Sequence, residues 1–160
     1  MRLLISDANI LIDMEEGKLL TLMFQLRIQF STPDILFEEE LAEHHAHLLH
    51  MGLLLGELDA PALNYAFDLL QTVTGPSTND CLALALARQE DCPLLTGDMR
   101  LRQTASEQGV EVLGTLWLVE EMVRQQVITI ESAKRAYEMM KAAGRRLPWT
   151  EAFGRLANLS

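Results

Sequence analysis

The sequence has few cysteines, few cations and no long apolar run, and each shortage removes a class of protein. Its two cysteines, Cys81 and Cys92, stand eleven apart outside any CxxC spacing, so neither a thiolate zinc site nor a disulfide framework is expected. A reduced, intracellular and cytoplasmic setting is the expectation that follows. The apolar start Leu3-Leu4-Ile5 is cut off by Asp7, and no uninterrupted apolar run approaches the roughly 18 residues of a membrane span. Secretion and membrane insertion are therefore not expected. Thirteen Lys and Arg against 23 Asp and Glu leave a formal net charge of −10. Nucleic-acid binders gain most of their affinity from cations that displace phosphate counterions, so any such role has to account for this acidity.

What is present is apolar mass: 49% of the 160 residues are hydrophobic, enough for one acidic globular domain with a real core. The charge is uneven. Residues 1–130 carry 7 basic and 20 acidic side chains, whereas residues 131–160 carry 6 and 3, so the last thirty residues form a different kind of surface. Without repeats, low-complexity tracts or a Gly/Ser/Pro linker, they read as an appendage of the same unit.

Residues 2–6 read as a buried strand, followed by Asp7 as N-cap of a helix that stops at Gly17. A second helix is expected over 18–26 and a second strand over 28–31. Thr32 as cap and Pro33 at the first helical position then open a long helix to about His50. Gly52 and Gly56 break the chain. Helical periodicity follows over 61–74 and 77–90, with a Gly75-Pro76 turn between. Residues 93–96 and 110–113 are further strands around a helix capped by Asp98, and the chain after Thr115 reads as helical with breaks at Gly144 and Pro148. Strands separated by helices pair in parallel through crossovers, which predicts an α/β protein: a three-layer α/β/α arrangement around a mostly parallel sheet of four to five strands, plus C-terminal helices.

In such sheets ligands bind beyond the carboxyl ends of the strands. Asp7 and Asp98 both fall there, Asp80 lies in the first turn of its helix, and Glu38, Glu39 or Glu40 could supply a fourth acid. Clustered carboxylates repel one another unless a cation lies between them. Mg²⁺ or Mn²⁺ prefers such hard oxygen ligands and would allow metal-assisted attack on phosphate. Each acid also has a plainer reading. Asp7 and Asp98 are good N-caps, Ser77 and Asp80 make a capping box, and a triple-Glu run is often a solvated face. On a continuous helix over 33–50, Ile35, Ala42, Ala46 and Leu49 form one side and Phe37, Leu41 and Leu48 the other. Glu38 falls between them, Glu39 at the rim and Glu40 toward solvent, so the wheel does not choose the glutamate.

These residues resemble the PIN-domain ribonucleases, many of them toxins of toxin/antitoxin pairs. Ser6-Asp7-Ala8-Asn9 after a strand looks like the family's opening D-x-N/S, and Pro33 to Glu39 like the helix with its second acid. Asn79-Asp80 before an Ala-rich helix is similar to its third acid, and Leu94-Leu95-Thr96-Gly97-Asp98 with Leu101-Arg102 to its fourth. The segment 112–117 followed by helices resembles a subgroup with a C-terminal extension, giving a nuclease domain over 1–125 and a helical extension over 126–160. The resemblance implies a Mg²⁺- or Mn²⁺-dependent endoribonuclease, with Asp7, Glu39, Asp80 and Asp98 as catalytic metal ligands and Asn9 and Thr96 orienting them. Counting from Pro33 selects Glu39, counting back from Leu41 selects Glu40, and Glu38 is the remaining substitute. The partners it implies are RNA and an antitoxin, with a homodimer as a further option. The alternative is a PIN-like protein-binding module without catalysis. A phosphatase of another α/β fold ranks last, since Asp7-x-Asn9 lacks a second aspartate.

Four histidines, His44, His45, His47 and His50, crowd one helix end, where i,i+3 pairs could support a metal contact but a solvated helix end is the plainer reading. Cys81 reads as a small core residue. The segment Leu48 to Leu55 and the pair Met139-Met140 read as core, with a dimer interface or antitoxin groove as the other option. Arg100 and Arg102, just after Asp98, are the residues placed to reach RNA, along with the tail cations Lys134, Arg135, Lys141, Arg145, Arg146 and Arg155.

Overall fold

A computed structural model describes residues 1–159. Strand β1 (Arg2–Ser6) is central, with Leu4, Ile5 and Ser6 fully buried. It pairs in parallel with β2 (Ile28–Pro33), Ile5 opposite Ser31, and with β4 (Leu94–Leu95), Ile5 opposite Leu94. Strand β3 (Leu54–Gly56) adds outside β2, and β5 (Val112–Leu113) outside β4. The sheet therefore has five strands in the order β3-β2-β1-β4-β5, all parallel. The central run Leu4-Ile5 of β1 and Leu94-Leu95 of β4 is apolar and buried without alternation, as in strands covered on both faces.

Helices α1 (Ala8–Glu16), α2 (Leu20–Met23), α6 (Ala60–Thr72), α7 (Thr78–Gln89), α8 (Met99–Glu107) and α9 (Thr115–Arg124) connect and flank the strands. Every residue of α7 from Cys81 to Ala87 is buried, the pattern of a helix packed on all sides. Burial pushes the Cys81 thiol up to about 11, so this cysteine is an inert core residue. The C-terminal helices α10 (Ile130–Ala142) and α11 (Trp149–Ala157) pack through Tyr137, Trp149 and Phe153, whose rings meet edge-on or tilted. Two ion pairs fasten them to the body. Arg145 Nε meets Asp13 Oδ1 at 2.6 Å, and Arg155 Nε meets Glu120 Oε2 at 2.8 Å.

Three local expectations fail for physical reasons. The helix over 33–50 is not continuous. β2 runs through Pro33, α3 (Asp34–Leu36) opens a π-helical turn (Phe37–Leu41), and α4 (Ala42–His45) and α5 (Leu48–Met51) follow separately. One straight helix could not bury both apolar sides of that segment. The broken segment buries one side only, Phe37, Leu41 and Leu48 together with Leu36, and leaves Ile35 and Leu49 exposed. The 18–26 helix shrinks to one turn. Finally, Leu54-Leu55-Gly56 is an edge strand rather than core, too short and too free of β-branched residues to announce itself. Gly56 fits closely there, since a Cβ would come 2.6 Å from Leu86 Cδ2 and that buried side chain would have to move.

Candidate active site

The chain moves outward from β1 to β2 and β3, then returns to the other side for β4 and β5. The order thus switches between β1 and β4, and the crevice outside their carboxyl ends is the binding position of an open parallel sheet. Asp7 follows β1 directly, and Thr96-Gly97-Asp98 follows β4.

Asp7 is 4% exposed. Its Oδ1 accepts the Ile10 N–H at 2.9 Å, capping α1, and its Oδ2 accepts the Thr96 hydroxyl at 2.5 Å. Burial pushes its carboxyl up from 3.8 to about 6 against the pull of those two hydrogen bonds, and the charges of Asp80 and Asp13 add to the rise. Thr96 Oγ1 also accepts the Asp98 N–H at 3.2 Å, so one hydroxyl links the two strand-end acids. Asp98 in turn caps α8 through the Leu101 N–H at 2.9 Å.

Asp80 forms the expected capping box: its Oδ2 accepts the Ser77 N–H at 2.9 Å, and its own N–H donates to Ser77 Oγ at 3.1 Å. Capping occupies one oxygen of each aspartate and fixes its rotamer, which leaves the acids positioned rather than consumed. Beside Asp80, Asn79 Nδ2 donates to Glu39 Oε2 at 3.0 Å and to Glu40 Oε2 at 2.9 Å. Carboxylates only accept, so the amide nitrogen must face them. Asn79 Oδ1 is then buried without a partner. Glu38, Glu39 and Glu40 all stay exposed at the π turn, and Glu40, in the solvent-facing position that the wheel gives it, still reaches Asn79 with its carboxylate. Partial desolvation raises the Glu40 carboxyl, opposed by the Asn79 hydrogen bond and reinforced by Asp80 and Glu39.

Among the described residues, none of Asp7, Glu39, Glu40, Asp80 and Asp98 forms an ion pair. For Asp7, the one buried acid of the five, the contrast with the other two buried acids of the chain is sharp. Asp13 has Arg145, and Glu120 has Arg155 and Arg124. Among the described residues, no three of the edge acids hold ligand atoms within 4.8 Å of one another, so they do not form a closed ligand cage. An all-oxygen donor set, a buried carboxylate without a countercharge and an orphaned amide oxygen together fit a hard divalent cation.

The remaining expected positions divide. Thr96 bonds Asp7 directly. Asn9 Oδ1 accepts Arg145 Nη2 at 3.1 Å rather than bonding an edge acid. Arg102 Nη1 donates to the Thr96 carbonyl at 3.0 Å, bracing the turn after β4. Arg100 is exposed, and its aliphatic stem lies where a side chain on Gly75 would be. Of the tail cations, Arg145 and Arg155 are taken by Asp13 and Glu120, so they are not free for RNA. Arg102 and Arg146, with Met99, Trp117 and Leu147, line a pocket of about 470 Å³ on the β5 side of Asp98. Sequence reasoning missed the contacts of Asn79 and Arg145 and left Glu40 as an alternative to Glu39. The Asn79-Asp80 pair at a helix start was the available signal for the first, whereas the second depends on a contact spanning 132 residues.

A family model described as a PIN domain matches residues 3–153. No curated protein matches the chain.

Proposed function

Because the chain belongs to the PIN-domain family, matched over nearly its whole length, and PIN domains are nuclease folds that use divalent metals, we propose that it is a Mg²⁺- or Mn²⁺-dependent endoribonuclease. The observation that carries this reading is Asp7, a buried carboxylate at the switch point of the sheet with no cation of its own. Asp7, Asp80, Asp98 and the Glu39/Glu40 pair would hold the ion, directly or through water. When bound, the ion supplies Lewis acidity for a water and a scissile phosphate. Thr96 fixes the Asp7 carboxylate, and Asn79 holds both glutamates against Asp80, so the chain contributes a preset geometry. Arg100 and Arg102 stand beside Asp98, where a guanidinium can meet an RNA phosphate.

A toxin's role beside an antitoxin goes with this reading. The open edge strand β3 exposes Leu54 and Leu55, which supports a protein partner adding along that edge. The acidic surface then makes RNA affinity dependent on the metal and on a few local cations.

The test is cleavage of a closed circular single-stranded RNA, which only an endonuclease opens. Linear product with Mg²⁺ or Mn²⁺, none with a chelator and none with Asp98→Asn is the expected result. Cleavage that survives chelation and Asp98→Asn contradicts it.

A further inference from the structure

At the far end of α1 from Asp7, Glu15 meets two histidines from another element. His45 Nδ1 lies 2.6 Å from Glu15 Oε2, and His47 Nε2 lies 2.9 Å from Glu15 Oε1. The three ligand atoms fall within 4.8 Å of one another, the one such group of three His, Cys, Asp or Glu among the described residues. From this geometry we infer a second metal site, for a zinc-class ion, formed by Glu15, His45 and His47.

The juxtaposition is not what a helix gives by default. Residues at i and i+2 point to opposite sides of an α-helix. Here α4 ends at His45 and α5 begins at Leu48, so the break at Ala46-His47 swings both rings onto one carboxylate, with centroids 6.1 Å apart. The i,i+3 pairs of the sequence, His44 with His47 and His47 with His50, are not the ones brought together. Glu15 is itself held at the last turn of α1, where its carbonyl accepts the Lys18 N–H at 3.0 Å.

Two imidazoles and one carboxylate are the three-ligand set of many zinc sites, with a fourth position left for water. Donors around tetrahedral zinc sit about 3.3 Å apart, as bonds of 2.0–2.1 Å require. The observed 2.6 and 2.9 Å need only a small opening, which rotation of partly exposed side chains allows. Imidazole nitrogen selects zinc, nickel or copper over magnesium, so this site differs in kind from the all-oxygen edge site. An ion here ties the end of α1 to the segment that follows the π turn, and a net charge of −10 favours an added cation.

The experiment is calorimetric and thermal titration of tag-free protein with Zn²⁺ in excess Mg²⁺, which occupies sites that prefer oxygen. Expected are one saturable Zn²⁺ per chain and a Tm raised by about 5–10 °C at free zinc a hundred times Kd. Binding should weaken at least tenfold in Glu15→Gln and in His45→Ala, with circular dichroism unchanged, and remain intact in Asp7→Asn. The last arm separates this site from the edge acids, and no arm depends on RNA cleavage. Absence of saturable binding to the unsubstituted protein, or binding indifferent to His45→Ala and His47→Ala, overturns the inference.

Discussion

Thr96 Oγ1 donates to Asp7 Oδ2 over 2.5 Å, joining the ends of two strands that are 89 residues apart in sequence. This bond opposes the rise that burial imposes on the Asp7 carboxyl. Replacing Thr96 by valine keeps the shape and removes the donor. The Asp7 carboxyl of the metal-free Thr96→Val protein should therefore titrate above the unsubstituted value of about 6, as read by carboxyl carbon NMR. A titration unchanged by the substitution rules out the assigned role of the hydroxyl.

The same carboxyl makes stability depend on pH in a direction opposite to that of a salt-bridged aspartate. Its folded value of about 6 lies above the ordinary 3.8, so between those limits the folded state binds more protons than the unfolded one. This contribution falls as pH rises through that window, by up to about 3 kcal/mol. In metal-free protein Asp7→Asn should thus be the more stable at pH 7, with the difference fading below about pH 4. Urea unfolding at the two pH values measures it. Added Mn²⁺ should reverse the ranking at pH 7, because only the carboxylate gains from the ion.

Asn79 serves both glutamates at once, so its loss should resemble loss of the acids more than loss of a surface amide. Asn79→Ala is expected to slow single-turnover RNA cleavage by tenfold or more at unchanged Tm. Glu39→Gln and Glu40→Gln should each cost activity, and the double variant should lose more than either. An active Glu39→Gln/Glu40→Gln protein removes this pair from the site.

Arg145 has a structural role that its position in the basic tail conceals. It neutralises Asp13, which is 6% exposed, and it reaches Asn9. Arg145→Ala leaves a buried charge unpaired and should destabilise the protein by about 3 kcal/mol. Asp13→Asn in the same chain should restore much of that loss, which denaturant titration of the single and double variants resolves.

The parts of the fold legible in the sequence were those written in local chemistry. Asp7, Ser77 and Asp98 announce their helices by capping, Gly17 ends α1, and the alternating Leu and Ala of α7 announce a buried helix. The π turn was not legible, since Phe37-Glu38-Glu39-Glu40-Leu41 satisfies a regular helix locally. The structure buries the side of Phe37, Leu41 and Leu48 and leaves Ile35 and Leu49 out, a choice between two apolar sides that the sequence does not announce. Glu40 stays solvent-facing, as the wheel suggests, and still shares Asn79 with Glu39. Asn9 shows the opposite limit: its motif position suggests a partner among the acids, while a guanidinium 136 residues away takes it.

The central claim is that the acids at the switch point are a cation site, and Mn²⁺ binding tests it most directly. Calorimetric titration in a His45→Ala/His47→Ala background removes any contribution from the histidine cluster. Saturable Mn²⁺ binding that is lost in Asp7→Asn and in Asp80→Asn is the predicted result. No saturable binding, or binding that survives both substitutions, contradicts the account.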